Sequence, residues 1–440
     1  MSIPVAARFA SASTPAEQAP SRGPVVVQKF GGTSVADIDR IRNAARRVRA
    51  GMAAGERICV VLSAMAGTTN QLVAWSEAAA ECRNDPAVPG PGAPFDWAEY
   101  DRVVATGEEI TVGLMALVLQ AQGVPARSFT GAEAGLRTDE AHGKARIEAI
   151  DAGPLRDCLA RGTVAVVTGF QGLAADGRVA TLGRGGSDTS AVALAAALGA
   201  ERCDIFTDVD GVYTTDPRIV ARARKLDRIT YEEMLEMASL GAKVLQTRSV
   251  ALAMAHNVRV QVLSSFDDAP GTLVCSEDEI MEQQIVSGIA YSRDEARITV
   301  AQVNDRPGVA AAIFGPLARA NINVDMIVQS VSRDGRSANL TFTVARSELA
   351  RAMAELEEHR TAVGFDHLLA DDNVAKVSVI GVGMRSHAGV AHTMFETLAA
   401  KGINIQAIST SEIKVSVLVA EEYTELAIRM LHTAYGLDRA

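Results

Sequence analysis

The last third of the chain carries one block of sequence twice. Gly308-Val309-Ala310, Phe314, Leu317-Ala318 and Ile322-Asn323-Val324 return as Gly389-Val390-Ala391, Phe395, Leu398-Ala399 and Ile403-Asn404-Ile405, at a constant offset of 81 residues. Around each copy the pattern predicts a strand (297–303; 376–381), a helix, two further strands (324–331 and 339–344; 405–410 and 414–419) and a second helix (348–358; 423–435). Two copies are too few for a stacked solenoid, so each must be a small βαββα unit. A βαββαβ unit needs one strand more. The first copy can take it from 365–369, but the second reaches residue 440 without one. The spare apolar run 284–291, ahead of the repeat, can complete the second copy, so the two units are expected to interleave.

Ahead of the repeat the pattern changes. Short apolar runs at 25–27, 58–62, 163–168, 203–207 and 258–264 alternate with helical segments at about 69–82, 101–122 and 189–198, the last ending at Gly199. Val35, Ile38, Ile41, Ala45 and Val48 mark one face of a helix that Thr33 or Ser34 can cap. Thr230 and Glu233 form a capping-box pattern. Strands alternating with helices imply a layered α/β domain with a largely parallel sheet. It is expected over 25–265, with a linker over 266–284 that opens on the turn Asp267–Gly271. The first βαββαβ region is expected over 285–365 and the second over 366–440. The Pro/Gly-rich stretch 83–98 reads as a surface loop, and the Ala/Ser/Pro-rich residues 1–24 as a disordered tail rather than a secretory signal.

Composition removes several function classes. Of 440 residues, 48% are hydrophobic, enough for packed cores. The net charge of -10, with 11 Phe, 6 Tyr and 2 Trp, argues against nucleic acid, which needs a basic face and stacking platforms. No apolar run approaches the ~18 residues of a membrane span. Five scattered cysteines, with no CxxC pair and no HExxH or HxH spacing, leave no zinc framework and fit a reducing cytoplasm. No protein metal site is expected.

Three loops carry chemistry. Lys29-Phe30-Gly31-Gly32-Thr33-Ser34-Val35 lies at a strand-to-helix junction, where the glycines admit an anion, the helix start offers N–H groups and Lys29 adds a cation. Gly183-Arg184-Gly185-Gly186-Ser187-Asp188 is not a GxGxxG fingerprint, and no GxxxxGK[ST] occurs. Its Arg184 suits a fork-like grip on carboxylate or phosphate. Thr207–Arg218 follows a buried strand, and ligands of open α/β sheets bind at strand carboxyl ends. Its acids can orient Mg²⁺ or ribose hydroxyls.

These residues bring a resemblance. KFGGTSV at 29–35, SAMAGTTN at 63–70, GEE at 107–109, GRGGSD at 183–188, TDVDGVYTTDPR at 207–218 and AKV at 242–244 stand in the order found in aspartokinases. These belong to the amino-acid-kinase superfamily. The repeat, with Ser409-Thr410-Ser411-Glu412-Ile413, resembles a pair of ACT regulatory domains. The resemblance runs from Val25 onward and is to the monofunctional form, without a fused dehydrogenase. It implies a three-layer α/β/α kinase domain with two ferredoxin-like ACT units, and ATP-dependent phosphorylation of the L-aspartate side chain.

The roles it implies are specific. Lys29, Phe30, Gly31 and Gly32 would hold ATP phosphates. Thr207, Asp208, Tyr213, Arg218, Lys243 and Val244 would line the nucleotide site. Ser63, Thr69, Glu108 and Arg184 would position aspartate, with Glu108 facing its ammonium and Arg184 its α-carboxylate. Asp188 would order Lys29 or the region of the Mg²⁺ ion. Asp305, Gly308 and Gln329 in the first ACT copy, and Asn404, Ile405 and Ser411 in the second, would bind effectors. Lysine and threonine are the expected inhibitors, and Ala388 stands where the family usually shows Pro. Assembly would run through the ACT units, as a homo-oligomer or with a shorter regulatory chain. A glutamate-type kinase or a catalytically silent amino-acid sensor are the alternative readings.

Overall fold

The computed structural model describes residues 23–81, 95–242, 244–280, 284–331, 337–387 and 389–439. Nearly all of the N-terminal tail and of the 83–98 loop, together with Lys243, Ala388 and Cys82, lie outside the described residues. The chain forms two units. The first comprises the residues up to Val212, Lys225–Leu235 and 244–280, and the second Tyr213–Arg224, Glu236–Ala242 and 284–439.

The first unit is built on an eight-stranded sheet. Its order is Arg228–Thr230, Thr272–Cys275, Val260–Ser264, Arg202–Thr207, Val25–Phe30, Arg57–Leu62, Val164–Thr168 and Ala126–Phe129. All neighbours are parallel except Thr272–Cys275 against Val260–Ser264. Val25–Phe30 is covered on both faces and every residue of it is buried, the polar Gln28 and Lys29 included. That strand lies between its successor Arg57–Leu62 and the much later Arg202–Thr207. Strand order therefore reverses there, and this is where an open α/β sheet forms its ligand crevice. A separate four-stranded sheet (Ile147–Ile150, Leu136–Thr138, Gln171–Leu173, Val179–Thr181) was not anticipated from the sequence.

Several local expectations are corrected. The segment after Gly31 is a 3-10 turn, Gly32–Val35, and the α-helix starts only at Ile38. Its cap is Asp37, whose carboxylate accepts from the Arg40 N–H at 2.8 Å; Ser34 is buried and its hydroxyl turns to the Phe206 carbonyl. Ile38 is exposed, off the buried face of Ile41, Ala44, Ala45 and Val48. The helix expected at 101–122 is two, Trp97–Val104 and Thr106–Ala121. They break at Ala105, whose carbonyl accepts from Gln171 Nε2 at 2.9 Å instead of continuing a helical ladder. Taken together, Trp97–Ala121 meets the length and mean hydropathy of a membrane span, a test that buried core helices also pass, and half of its most apolar window is buried within the protein. The Asp267–Gly271 turn returns the chain into the sheet as Thr272–Cys275, so part of the expected linker is core. The capping box at Thr230 forms as read, with Glu233 N–H to Thr230 Oγ1 and Thr230 N–H to Glu233 Oε2, both 3.1 Å.

The second unit is a six-stranded antiparallel sheet ordered Asp325–Val331, Ser337–Val344, Gly288–Asn304, His367–Ile380, Lys414–Ala420 and Ala407–Thr410. Its two central strands each serve both copies of the repeat. Gly288–Asn304 pairs through 296–304 with Ser337–Val344, and through 288–292 with residues 376–380. His367–Ile380 pairs through 367–371 with residues 297–301, and through 374–380 with Lys414–Ala420. The copies interleave by exchanging strands, and the predicted strand pairs 284–291 with 297–303, and 365–369 with 376–381, are two continuous strands. Each copy keeps its own core, one around Ile298, Phe342 and Leu356, the other around Val377, Met394 and Leu431.

Candidate active site

The carboxyl ends of four parallel strands meet at one level. Register aligns Phe30 with Leu62 and Phe206, and Leu62 with Thr168. The residues that follow, Gly31, Ser63, Gly169 and Thr207, therefore open onto the same crevice. Backbone bonds fix this level: Gly31 N–H to the Phe206 carbonyl at 3.3 Å, Ser63 N–H to Phe30 at 3.2 Å and Gly169 N–H to Leu62 at 2.9 Å. Gly32 has no side chain because a Cβ there would stand 2.9 Å from the Ala64 carbonyl.

Lys29 is buried, and its Nζ lies 2.5 Å from Asp188 Oδ1. Asp188 sits in the first turn of Gly186–Leu198, the α-helix whose N-terminus does point at the Gly-rich loop; its N-cap is Gly185 at φ 72°. A carboxylate in a first helical turn is favoured by the helix dipole, so Asp188 can hold the Lys29 ammonium without leaving the helix. Arg184 is exposed in the same loop, near enough to Tyr100 to act on it electrostatically.

Glu108 is the most unusual group. It is 3% exposed, in the first turn of Thr106–Ala121. One carboxylate oxygen accepts from the Ala64 N–H at 2.9 Å, while Oε2 is buried without a partner. Burial raises its pKa to about 7, against the lowering effect of the Ala64 N–H. Gly107 makes the approach possible, since a Cβ there would lie 2.8 Å from Ala64 Cβ. Thr69 lies half-buried in the first turn of Thr68–Glu81, and a Gly107 Cβ would also come within 3.4 Å of the neighbouring Thr68 methyl. Buried polar groups are ordinarily paired; an open, buried carboxylate oxygen is a place for a ligand cation.

The other residues singled out in the sequence are distributed differently. Thr207 and Asp208 hydrogen-bond to each other at 3.2 Å at the end of their strand. Tyr213 and Arg218 lie on Tyr213–Arg224, which folds with the second unit, and Arg218 is engaged by Asp216 at 2.8 Å. Val244 is half-buried, next to the undescribed Lys243. In the repeat, Gln329 donates to Asp305 at 3.3 Å, and Gly308 caps Val309–Arg319 at φ 91°. Gly389 repeats that cap at φ 107°. Asn404 and Ser411 are exposed and Ile405 is half-buried. Among the described residues, no group of three or more His, Cys, Asp or Glu could hold a metal.

The amino acid kinase family pattern matches residues 24–264, and ACT domain patterns match 297–361 and 377–435. The aspartate kinase of Pseudomonas fluorescens is 54% identical over 415 residues, which is 94% of this chain and 98% of that protein. The chain belongs to the aspartate kinase family. The aspartokinase of Mycobacterium tuberculosis is 47% identical over 418 residues, 94% and 96% of the two chains. Escherichia coli aspartokinase III, solved with aspartate and ADP, superposes with a TM-score of 0.75 at 32% identity, over 93% of this chain and 99% of that one. The same enzyme solved with lysine and aspartate gives 0.73 at 31%, over 94% and 99%.

As an aspartate kinase the chain is a phosphotransferase with a carboxyl acceptor. Two residues of its crevice escape sequence reading. Phe170, after Gly169, adopts φ 69°, rare for a side chain of its size, and its N–H is fixed by Ser190 Oγ at 3.0 Å. Ser187 packs where a Gly169 Cβ would be, 2.7 Å from its own Cβ. Phe170 has no charge or motif position to mark it, and Ser187 lies within the Gly183–Asp188 motif without being singled out there; strand register brings Phe170 to the crevice, and Ser187 packs on Gly169 beside it.

Proposed function

We propose that this crevice transfers the γ-phosphoryl group of ATP to the side-chain carboxylate of L-aspartate, giving 4-phospho-L-aspartate and ADP. The observation that carries the reading is the buried Glu108 with its unpartnered oxygen, held at Ala64 by the carboxyl ends of the strands where the Lys29–Asp188 pair also stands. The acceptor has an intrinsic pKa near ~3.9 and is already ionised, so no general base is needed. Its oxygen bonds to the γ-phosphorus as the bridging oxygen leaves with ADP. The remaining task is to hold two anions in line and offset charge on the transferring group.

Lys29 serves that charge, Glu108 takes the substrate ammonium, Arg184 its α-carboxylate, and Ser63 and Thr69 its polar edges. Phe30, Gly31 and Gly32 line the phosphates, with Thr207 and Asp208 on the nucleotide side; Tyr213, Arg218, Lys243 and Val244 carry the remaining nucleotide-motif expectations. Mg²⁺ ordinarily uses one or two carboxylates plus substrate phosphates, so the lone Asp188 fits; when bound, the ion neutralises phosphate charge.

The same reading makes the product the first intermediate toward lysine, threonine and methionine, with lysine and threonine as inhibitors acting through the ACT units. The lysine complex of the Escherichia coli enzyme supports the lysine half. The effector residues are Asp305, Gly308 and Gln329, and Asn404, Ile405 and Ser411. Assembly through the ACT units, with itself or a shorter chain, accords with exposed Ile327 and Val331 on the outer strand. The cytoplasm suits the buried free thiols of Cys59, Cys158, Cys203 and Cys275.

ATP-dependent acyl-hydroxamate formation tests all of this. Aspartate is expected to give product, glutamate little, and lysine with threonine to suppress the rate. Equal rates with glutamate would overturn the substrate assignment, and an unchanged rate with both effectors would overturn the regulatory one.

A further inference from the structure

Asp101 takes no part in the chemistry above, yet its carboxylate is heavily hydrogen-bonded. It is fully buried on Trp97–Val104. Its oxygens accept from the Gly143 N–H (3.0 and 2.9 Å), the Thr181 N–H (3.0 Å) and the Thr181 hydroxyl (2.5 Å), and His142 Nδ1 lies 2.9 Å away. Charge-assisted bonds of this kind are the strong ones, and one donor, Thr181, stands on the strand that runs into the Arg184 loop.

On one side, Asp101 anchors the helix that ends at Val104. Gln171 then holds the Ala105 carbonyl, and Glu108 follows in the first turn of the next helix. On the other side, Thr181 stands three residues before Arg184, and the Thr181 carbonyl accepts from the Ala145 N–H at 2.8 Å. Arg248 closes the clamp, donating to the carbonyls of Leu182 and Ala145 at 3.0 Å each. Thus one buried carboxylate ties the helix that runs into the Glu108 helix through Ala105 to the strand that delivers the Arg184 loop.

We propose that Asp101 is a positioning residue that sets the separation of Glu108 and Arg184. It thereby fixes where the α-carbon of the amino-acid substrate sits and which side-chain length reaches the phosphoryl group. The inference rests on the roles given above to Glu108 and Arg184. Asp101 touches neither substrate; it acts through the two groups that do. Misplacement by an ångström is enough to cost on the order of a hundredfold, so loosening one pin is expected to be visible.

The test is steady-state hydroxamate kinetics on the full chain with Asp101→Asn and Thr181→Val, alongside thermal unfolding. For Asp101→Asn the KM for aspartate rises by about tenfold or more, the KM for ATP stays within about twofold, and the preference for aspartate over glutamate narrows by about tenfold. Thr181→Val, which loses a single bond, moves the same quantities in the same direction by less, and it decides the matter if Asp101→Asn does not fold. A purely structural pin would lower the unfolding midpoint while leaving the ratio of the two KM values and the aspartate preference unchanged, and that result overturns the proposal. No aspartyl hydroxamate from the wild-type chain overturns the functional reading, and this inference with it; a wild-type signal with unsplit KM values overturns the inference alone.

Discussion

In the proposed reaction Glu108 and Lys29 divide the work of the crevice, and each has a distinct signature at the residue scale. Glu108 has a pKa of about 7, raised by burial. Its charged form is the one that attracts an ammonium, so kcat/KM for aspartate should fall as pH drops through about 7. The stability consequence has the opposite sign. A folded-state pKa above the unfolded value means the group's contribution is fully present below the unfolded pKa and lost as pH rises through about 7. The ionised, unpartnered carboxylate is thus a cost that bound aspartate offsets. Glu108→Gln should flatten the pH profile, raise the KM for aspartate and keep or raise the unfolding midpoint; a retained inflection near neutral pH would count against this. Lys29→Ala should lower turnover by on the order of 10²–10³ while aspartate still binds, read by aspartate-induced shifts in unfolding temperature. An unimpaired rate would sink the role of Lys29.

At the scale of elements, the site is made by where helices begin. Two serve the proposed chemistry: Gly186–Leu198 presents Asp188, and Thr106–Ala121 presents Glu108. The second is placed by Gly107, and here two effects oppose. Replacing a helical glycine by alanine gains about 1 kcal/mol of propensity, but the new Cβ would stand 2.8 Å from Ala64 Cβ, on the residue whose N–H holds Glu108. The contact is between two backbone-anchored carbons with no flexible side chain to yield, so the steric term should win. Gly107→Ala is expected to raise the KM for aspartate by about tenfold or more, with the KM for ATP little changed. An unaltered aspartate KM would mean that the helix shifts without consequence.

The scale of the molecule adds the shared sheet of the second unit. Where its two long strands pass from one ACT copy to the other, Lys376 is buried, 2.7 Å from Glu295 and 2.8 Å from Asp325. Burial alone would lower the lysine pKa, but the two carboxylates override it and hold it above its ordinary range. Both strands are irregular here, with register shifts between Ser292, Glu295 and Arg297. The triad sits at the point of strand exchange, where a slipped register would mispair both copies. Lys376→Ala should cost about 3–5 kcal/mol, because it strands a buried carboxylate, and chemical denaturation would read it. The double change Lys376→Met, Glu295→Gln should recover most of that loss; failure to recover would assign the cost to packing rather than charge.

Sequence by itself determined what local chemistry can write. Apolar runs of strand length, the Gly-rich turns, the capping box and the repeat each follow from period, propensity or conformational freedom over a few residues. The missing fourth strand even foretold the exchange between ACT copies, since an unpaired sheet edge must be satisfied somewhere. Tertiary structure decided what depends on partners far along the chain. The Ala105 break needs Gln171, the return of Thr272–Cys275 needs Val260–Ser264, and the assignment of Tyr213–Arg224 to the second unit needs contacts such as Ile289 N–H with the Thr214 carbonyl. Lys29, Glu108 and Asp188 were legible as residue types and the resemblance implied that Asp188 orders Lys29, as the ion pair between them has it, but the burial of the pair and the open, buried oxygen of Glu108 were not legible. Burial and hydrogen-bond saturation belong to the packed three-dimensional surroundings, and no stretch of sequence contains them.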